Sequence, residues 1–377
     1  MTGHQDGRLV SRLRVAMFLL VFGTNLQGVL LPILGHEHRV GMLVVGLYSA
    51  SWSLGFVLAC WVVGRVTSAL GPFATFSTLA GLSGLSAMLL WFLPFNAVWI
   101  GLRMVIGFCF GGLSALVEGW LIARTGANAA FASYLAVVLV ASLAGTLSLN
   151  LLDPLGEAPF VLTSAAVLAS IVPVFLDRAA LPPAPLAFHA EIGRVIALSP
   201  LGAFGCLGAG TITGVLGGLG PVFGMVAGLG MHGTTLMLAA NTLGGAVANT
   251  PVSFLTARIG RRWLLTGVAL LGVAVCMPLV LAPQWPRAGL ILLLGAFGFA
   301  QYPLYTLCVG ITTLQAPHRP SEQVASEMLL LFGLGTIAGP MIGGPLLHRG
   351  IGWMFGFIAV TFLAIGLGAA ACRRIAR

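Results

Sequence analysis

Long apolar runs alternate with short polar segments along the whole chain, and their lengths predict its structure. A helix needs about 20 predominantly apolar residues to cross the hydrocarbon core of a bilayer. Twelve runs reach that length. The chain is therefore predicted to be an all-α integral membrane protein with twelve transmembrane helices. The predicted spans cover residues 13–34, 42–64, 73–94, 97–123, 129–152, 158–176, 195–226, 233–256, 263–283, 288–312, 322–347 and 351–371.

The longest polar interruption between the termini divides these spans into six and six. It covers residues 177–194 and contains Pro182, Pro183 and Pro185. A helix does not continue through such a segment, because proline lacks the backbone N–H and clashes with the preceding turn. The predicted organisation is an N-terminal six-helix half at 1–176, a cytoplasmic linker at 177–194 and a C-terminal six-helix half at 195–377.

The composition agrees with a membrane protein and excludes a soluble one. Hydrophobic residues make up 58% of the chain and charged residues only 7%, whereas soluble domains carry about 25% charged residues. The formal net charge of +9 comes entirely from arginine, and we attribute it to membrane topology rather than to nucleic-acid binding. The six cysteines form no Cys-x-x-Cys motif, so neither a disulfide framework nor a zinc site is expected.

The arginines lie mostly in loops on one side of the predicted spans. If the N-terminus is cytoplasmic, fourteen arginines are cytoplasmic and only Arg39, Arg287 and Arg349 are external. The positive-inside rule then places both termini and the linker in the cytoplasm. The expected location is the cytoplasmic (inner) membrane, with multiple passes.

Two loops at corresponding positions of the halves carry a related motif. The segment from Gly64 to Gly71 ends the second span, and the segment from Ser253 to Arg262 ends the eighth. Both resemble the Gly-x-x-x-Asp-Arg-x-Gly-Arg-Arg signature of the major facilitator superfamily. Ser68 occupies the aspartate position in the first copy, and Ala257 occupies it in the second. Six spans followed by six in parallel repeat is a known transporter architecture.

Further strings extend this resemblance over most of the chain. Arg103-x-x-x-Gly107-x-x-x-Gly111 resembles the superfamily's fourth-span motif. Several strings resemble the YcaD-like branch: Glu118-Gly-Trp120-Leu121, Asp153-Pro-Leu-Gly, Pro303-Leu-Tyr305 and Leu329-Leu-Leu-Phe-Gly333-Leu-Gly335-Thr-Ile-Ala-Gly339-Pro340. The resemblance implies the major facilitator fold and secondary active transport of a small solute by alternating access.

Polar side chains within the first, fourth, seventh and tenth spans are the predicted substrate-binding residues. In the superfamily these four helices line the central cavity. An arginine near the bilayer centre costs about 2.5–3.5 kcal/mol on insertion scales, so Arg103 is the strongest candidate. The alternative for each residue is interhelical hydrogen bonding, worth about 0.6 kcal/mol. The predicted set is Asn25, Gln27, Arg103, Thr211, Thr213, Gln301, Tyr302 and Tyr305.

A second predicted set serves coupling or gating and consists of Arg65, Glu118, Glu322 and Glu327. Glu118 is expected near the cytoplasmic end of its span, where it would form an ion pair with Arg124 or Arg65 or carry a proton. The start of span eleven meets the end of span two in the closed cytoplasmic state of the superfamily. We therefore predict a latch there, formed by Arg65 with Glu322 or Glu327.

The sequence favours a secondary transporter over two alternatives. One alternative is a copper or other metal importer of the same fold, suggested by outer-side histidines and methionines at His36, His38, Met225, Met231, His232 and Met237. The other is a non-transporting membrane sensor or assembly factor. An enzyme is not expected, since catalytic side chains are not clustered in the spans. We expect a monomer without cofactor or nucleic acid, whose partners are a small-molecule substrate, the lipid bilayer and, as a candidate coupling ion, protons.

Overall fold

The structure is a computed structural model, and it describes residues 2–125, 127–178, 181, 192–281, 284–316, 318–319 and 321–372. Throughout these ranges the regular secondary structure is helical. The first half contains α1 (Thr2–Glu37), α2 (Met42–Leu70), α3 (Pro72–Phe92), α4 (Asn96–Thr125), α5 (Ala127–Ser148), a 3₁₀ turn (Leu149–Leu151), α6 (Ala158–Ala169) and α7 (Ile171–Phe175). The second half contains α8 (Ile192–Leu198), α9 (Pro200–Val226), α10 (Gly230–Ile259), α11 (Arg261–Val280), α12 (Arg287–Gln315), α13 (Ser321–Arg349) and α14 (Ile351–Ala371).

The helices lie at the places of the predicted spans, with four differences. Ten helical segments of the described chain are long and apolar enough to cross a membrane, and the protein is a multi-pass membrane protein. The fifth predicted span contains only a shorter apolar stretch, Ala136–Leu151, and α10, at the eighth predicted span, is not among the ten. The sixth is divided into α6 and α7 at Ser170. The seventh is divided at Ser199, whose hydroxyl accepts a hydrogen bond from the Gly202 amide and caps α9.

Two compact units are distinguished by their internal contacts. The first comprises Met1–Leu34 and Ser51–Phe188, and the second comprises Gly35–Ala50 and His189–Arg377. Residues 182–191 of the predicted linker lie outside the described residues. The boundary near the linker was expected from its prolines, whereas the assignment of residues 35–50 to the second unit was not.

The first unit is held together by close helix pairs. A Cβ atom at Gly107 of α4 would overlap the Trp52 carbonyl of α2, so only glycine permits this approach. In the same way α5 approaches α1, where Gly145 lies against the Phe22 carbonyl. The α3 and α6 helices are joined by the Ser164 hydroxyl, which donates to the Gly84 carbonyl at 2.8 Å. Small residues allow such backbone contacts in membrane helices, where burial of apolar surface gives little drive.

The second unit repeats this pairing with its own helices. The α9 and α13 helices approach through glycines on both sides, since Gly210 lies against the Phe332 carbonyl and Gly339 against the Thr211 carbonyl. The α10 helix packs on α12, and α11 packs on α14. In each unit, therefore, the first span packs against the fifth, the second against the fourth and the third against the sixth. This common pattern is the structural counterpart of the weak sequence repeat.

The first turns of α2 pack within the second unit. A Cβ at Gly46 would overlap the Pro340 carbonyl of α13, and a Cβ at Gly344 would meet the Met42 carbonyl. A Cβ at Gly218 of α9 would likewise meet the Ser49 side chain. The single helix α2 therefore contributes to both units, with its residues up to Ala50 in one and those from Ser51 in the other.

Candidate functional site

Arg103, Gln27 and Trp52 form a buried polar cluster in the first unit. Arg103 is only 5% exposed and Gln27 only 1% exposed. The Nη1 atom of Arg103 donates to Gln27 Oε1 at 3.1 Å. The guanidinium carbon lies 6.0 Å from the centroid of the Trp52 ring, at the limit of a cation–π contact. The cluster therefore joins α4, α1 and α2.

The position of Arg103 follows from the glycines of α4. Gly107 lies one turn after Arg103 and allows α4 to approach the backbone of α2 at Trp52. One turn further, Gly111 lies against Phe56 and Ala59 of the same helix. The predicted packing face of Arg103, Gly107 and Gly111 is therefore present, and it places the arginine beside an aromatic ring.

The Gln27 side chain has one polar atom that the described residues do not satisfy. Its Oε1 accepts from Arg103, but its buried Nε2 has no hydrogen-bond partner among them. Buried polar atoms are normally hydrogen-bonded, so an exception calls for a ligand, a water or a functional explanation. Asn25 does not join this cluster, because its Nδ2 donates to the Val21 carbonyl of its own helix at 2.9 Å.

The second unit contains a corresponding cluster on α9, α12 and α13. Gln301 is 4% exposed, and its Nε2 donates to the Thr213 hydroxyl at 3.0 Å. The buried Oε1 of Gln301 has no hydrogen-bond partner in the described part of the chain. One turn along α12, the Tyr305 ring meets the Phe332 ring edge-on, with centroids 5.0 Å apart. The cluster therefore contains one amide, two hydroxyls and two aromatic rings.

Two other predicted residues of the second unit lie away from this cluster. The Thr211 hydroxyl donates to the Leu207 carbonyl of its own helix at 2.9 Å, and its backbone packs on glycines of α13. Tyr302 is 43% exposed, and its ring lies directly beside Gly245 of α10. The structure thus brings Gln301, Thr213 and Tyr305 near one another and directs Tyr302 toward a different helix.

Among the described side chains, the hydrogen-bond partner of Glu118 is a neutral group. The Tyr134 hydroxyl of α5 donates to Glu118 Oε1 in a short hydrogen bond. The sequence predicted that this carboxylate pairs with Arg124 or Arg65 or carries a proton. Arg65 is exposed and makes no ion pair with a described acid, while the Arg124 side chain lies outside the described side chains. A partly buried carboxyl with a phenol as hydrogen-bond donor is a suitable place for a proton to bind and leave.

Glu327 forms an ion pair that the sequence did not indicate. Both of its carboxylate oxygens accept from Arg319, at 2.9 Å from Nη1 and 2.8 Å from Nη2. The Glu327 side chain is 0% exposed and the Arg319 side chain is 9% exposed. Arg319 lies in the loop before α13, eight residues from its partner. The Glu322 side chain lies outside the described residues, so the latch with Arg65 stays a prediction.

Trp52, Tyr134, Arg319 and Phe332 are the site residues that sequence reasoning missed. Three of them contact residues that are distant in the sequence, and nothing in a single chain indicates such pairing. Arg319 was assigned to topology as one of many loop arginines. A loop cation just before a helix that contains a buried acid was the available signal for this pair.

Comparisons with known proteins agree with the arrangement of the helices. A family model described as "Major Facilitator Superfamily" matches residues 231–376. No curated protein sequence matches the chain significantly. Among solved structures, the nucleoside transporter NupG has 12% identity and a TM-score of 0.77, with coverage of 96% of this chain and 98% of that chain.

Two further solved structures are similar over nearly the whole length. An auto-inhibited POT family peptide transporter has 14% identity and a TM-score of 0.72, with coverage of 99% of this chain and 98% of that chain. The human organic anion transporter MFSD10 has 17% identity and a TM-score of 0.66, with coverage of 97% and 99%. The chain therefore has the major facilitator fold, as predicted.

Proposed function

We propose that this chain is a secondary active transporter of the major facilitator superfamily that moves a small organic solute across the cytoplasmic membrane by alternating access. The fold and the family match over residues 231–376 support the transporter class. The observation that carries the proposal is that Arg103, a buried charged residue inside a mainly apolar span, donates a hydrogen bond to Gln27. Ionisable residues inside a membrane protein generally mark a substrate or ion pathway.

Arg103 favours a substrate with an anionic group. Gln27 and Trp52, two of the side chains that it contacts, are neutral and help to orient the guanidinium. A guanidinium offers several donors in a planar fork that matches a carboxylate or phosphate. The similarity to a human organic anion transporter agrees with this class. In the proposed complex, the unsatisfied Nε2 of Gln27 donates to the same anionic group.

The second unit contains a further set of candidate residues for contact with a small organic solute. Gln301 presents an unsatisfied carbonyl oxygen beside the Thr213 hydroxyl, and Tyr305 with Phe332 presents aromatic surface one turn away. A few convergent polar groups among aromatic side chains are typical of small-molecule sites. We assign a direct role to Gln301, Thr213 and Tyr305, and a packing role to Thr211 and Tyr302.

Protons are the proposed coupling ion, with Glu118 as the carrier. Its partner Tyr134 is neutral, so proton binding to the carboxyl breaks no ion pair with the described side chains. Glu327 is unsuited to this role because Arg319 occupies both of its oxygens. Arg65 and Glu322 remain the proposed gating residues at the cytoplasmic side. Within the superfamily we further assign the chain to the YcaD-like branch, on the strings around Glu118 and Gly335.

A stability screen followed by a transport assay tests the proposal. The purified protein is heated with a panel of small organic anions, neutral solutes and copper(I), because a bound ligand raises the apparent melting temperature by mass action. Each stabilising solute is then tested for counterflow into proteoliposomes. An organic anion that stabilises and is transported supports the proposal. A ligand that stabilises without movement indicates a sensor, and transport of copper alone indicates the metal importer.

A further inference from the structure

A lateral cavity of about 580 Å³ lies in the second unit, at the end where α9 begins and α14 ends. Ligand cavities are typically about 300–1,000 Å³ in volume, so its size is that of a binding site. Its lining is mainly apolar and includes Leu201, Phe204, Gly208, Ala364 and Ile365. The cavity contains none of the substrate-binding residues proposed above.

The depth and openness of the cavity suit an alkyl chain. On α9 the lining extends from Pro200 to Gly208, eight residue steps that correspond to about 12 Å along the helix axis. Phe204 lies on this stretch and is 69% exposed, so the cavity opens at the protein surface. An apolar opening within a membrane-spanning helix pair faces hydrocarbon, where an acyl chain restores the packing contacts that a void would lose.

Of the three polar side chains that line the cavity, Thr361 lies in the middle of α14 and donates to the Phe357 carbonyl, while the other two lie at helix ends. Gln315 is the last residue of α12, and Cys372 directly follows α14. If a lipid's acyl chain lay along α9, both residues would be at the level where the acyl chain joins the headgroup. The buried Oε1 of Gln315 has no hydrogen-bond partner in the described residues. The cavity therefore has a mainly apolar interior and a polar mouth.

Arg262 binds the end of α14 next to two lining residues of the cavity, although it does not itself line the cavity. The Nε and Nη2 atoms of Arg262 donate to the carbonyls of Ala369 and Ala370, immediately before the lining residues Ala371 and Cys372. Its Nη1 makes no hydrogen bond to the described residues. The guanidinium carbon also lies 5.2 Å from the Trp263 ring centroid, and Trp263 is 60% exposed. Exposed tryptophans commonly lie at the level of lipid headgroups.

A second arginine lies on α8, the helix that ends at the lining residue Leu198. Arg194 is exposed on α8, four residues before the lining residue Leu198. Residues four apart share a helix face. Basic pockets between transmembrane helices at the cytoplasmic side bind anionic lipid headgroups, and the predicted topology places this end of the unit at that side.

We propose that this cavity binds one anionic phospholipid, with an acyl chain between α9 and α14 and the phosphate at Arg262. The apolar lining selects the chain, and the positive charge next to the mouth selects the headgroup. The bound lipid would fill the gap between the two helices and stabilise the second unit. This proposal does not depend on the transported substrate, and its test measures lipid binding rather than transport.

The test compares lipids that share acyl chains and differ in headgroup. The delipidated protein is titrated in detergent with dioleoylphosphatidylglycerol, with dioleoylphosphatidylcholine and, separately, with glycerol phosphate. Binding is followed by native mass spectrometry and by the apparent melting temperature. We expect a larger rise in melting temperature with phosphatidylglycerol than with phosphatidylcholine, and none with glycerol phosphate. Equal shifts with both lipids, or a shift with glycerol phosphate alone, would overturn the proposal.

Variants separate this cavity from general lipid contact. Ala364→Trp and Thr361→Phe fill it from α14, and each should remove most of the phosphatidylglycerol-dependent shift. The matched control is Leu367→Trp, since Leu367 is 60% exposed on the same helix and does not line the cavity. Arg194→Gln should reduce the preference for phosphatidylglycerol over phosphatidylcholine. It leaves unchanged the hydrogen bonds of Arg262 to the end of α14. An unchanged shift in a folded cavity-filling variant, judged by size-exclusion profile, contradicts the proposal.

Discussion

Arg319 and Glu327 form a two-point ion pair that is almost completely buried, at 2.9 and 2.8 Å. The pair fixes the loop before α13 to the second turn of that helix. Burial removes both charges from water, and the two parallel hydrogen bonds compensate for part of that cost. The sequence placed the acid correctly inside the span, but it did not reveal that a loop arginine folds back onto it.

We expect Glu327→Gln to lower the apparent melting temperature strongly. Removing one partner of a buried ion pair costs about 3–5 kcal/mol, because the other charge is left in the interior. The double variant Arg319→Met/Glu327→Leu should recover much of the loss, since it leaves no buried charge. The control is Glu157→Gln at an exposed acid. If Glu327→Gln has the same apparent melting temperature as this control, the ion pair does not stabilise the second unit.

Glu118→Gln should separate solute exchange from proton-driven accumulation. A glutamine keeps the shape and can still bond Tyr134, but it cannot carry a proton. We therefore expect counterflow to persist while accumulation driven by a pH gradient is lost. Glu37→Gln, at an exposed acid of α1, is the control. A parallel loss of both activities would indicate a structural role, and retention of both would remove Glu118 from the coupling scheme.

Gly107→Ala should destabilise the first unit and displace Arg103. The added Cβ would overlap the Trp52 carbonyl, and overpacking of this kind costs about 1–3 kcal/mol. Gly101→Ala on the same helix is the matched control, because a Cβ there meets nothing within 4 Å. Thermal unfolding of the two variants measures the difference. Equal stability would show that the approach of α4 to α2 is not tight at this glycine.

Gly46→Leu should loosen the first turns of α2 from α13. The new side chain would enter the space of the Pro340 carbonyl, while Gly41→Leu provides a control at a position that is open. A cysteine introduced at Ser49, beside Gly218, reports the change in a background without other cysteines. We expect faster maleimide labelling in Gly46→Leu than in the control. Equal labelling rates would mean that this contact does not keep Ser49 covered.

Patterns within single helices were predicted well from the sequence. The spans followed from the lengths of apolar runs, and the packing face of α4 followed from Arg103 and two glycines at four-residue spacing. Partners from distant segments were not predictable, because the pairing of Arg103 with Gln27 or of Glu118 with Tyr134 depends on how whole helices pack. The assignment of residues 35–50 to the second unit has the same origin, since no feature of α2 itself marks a change at Ser51.

The role of Arg103 tests the central claim most directly. Wild-type protein, Arg103→Ala and Arg103→Lys are reconstituted at equal density, and counterflow of the stabilising organic anion is measured. Alanine removes both the charge and the contact with Gln27, whereas lysine keeps the charge without the planar fork. We predict no counterflow for Arg103→Ala in a normally inserted protein and partial counterflow with weaker apparent affinity for Arg103→Lys. Counterflow by Arg103→Ala at the wild-type rate and affinity would contradict the claim that this buried arginine binds the transported solute.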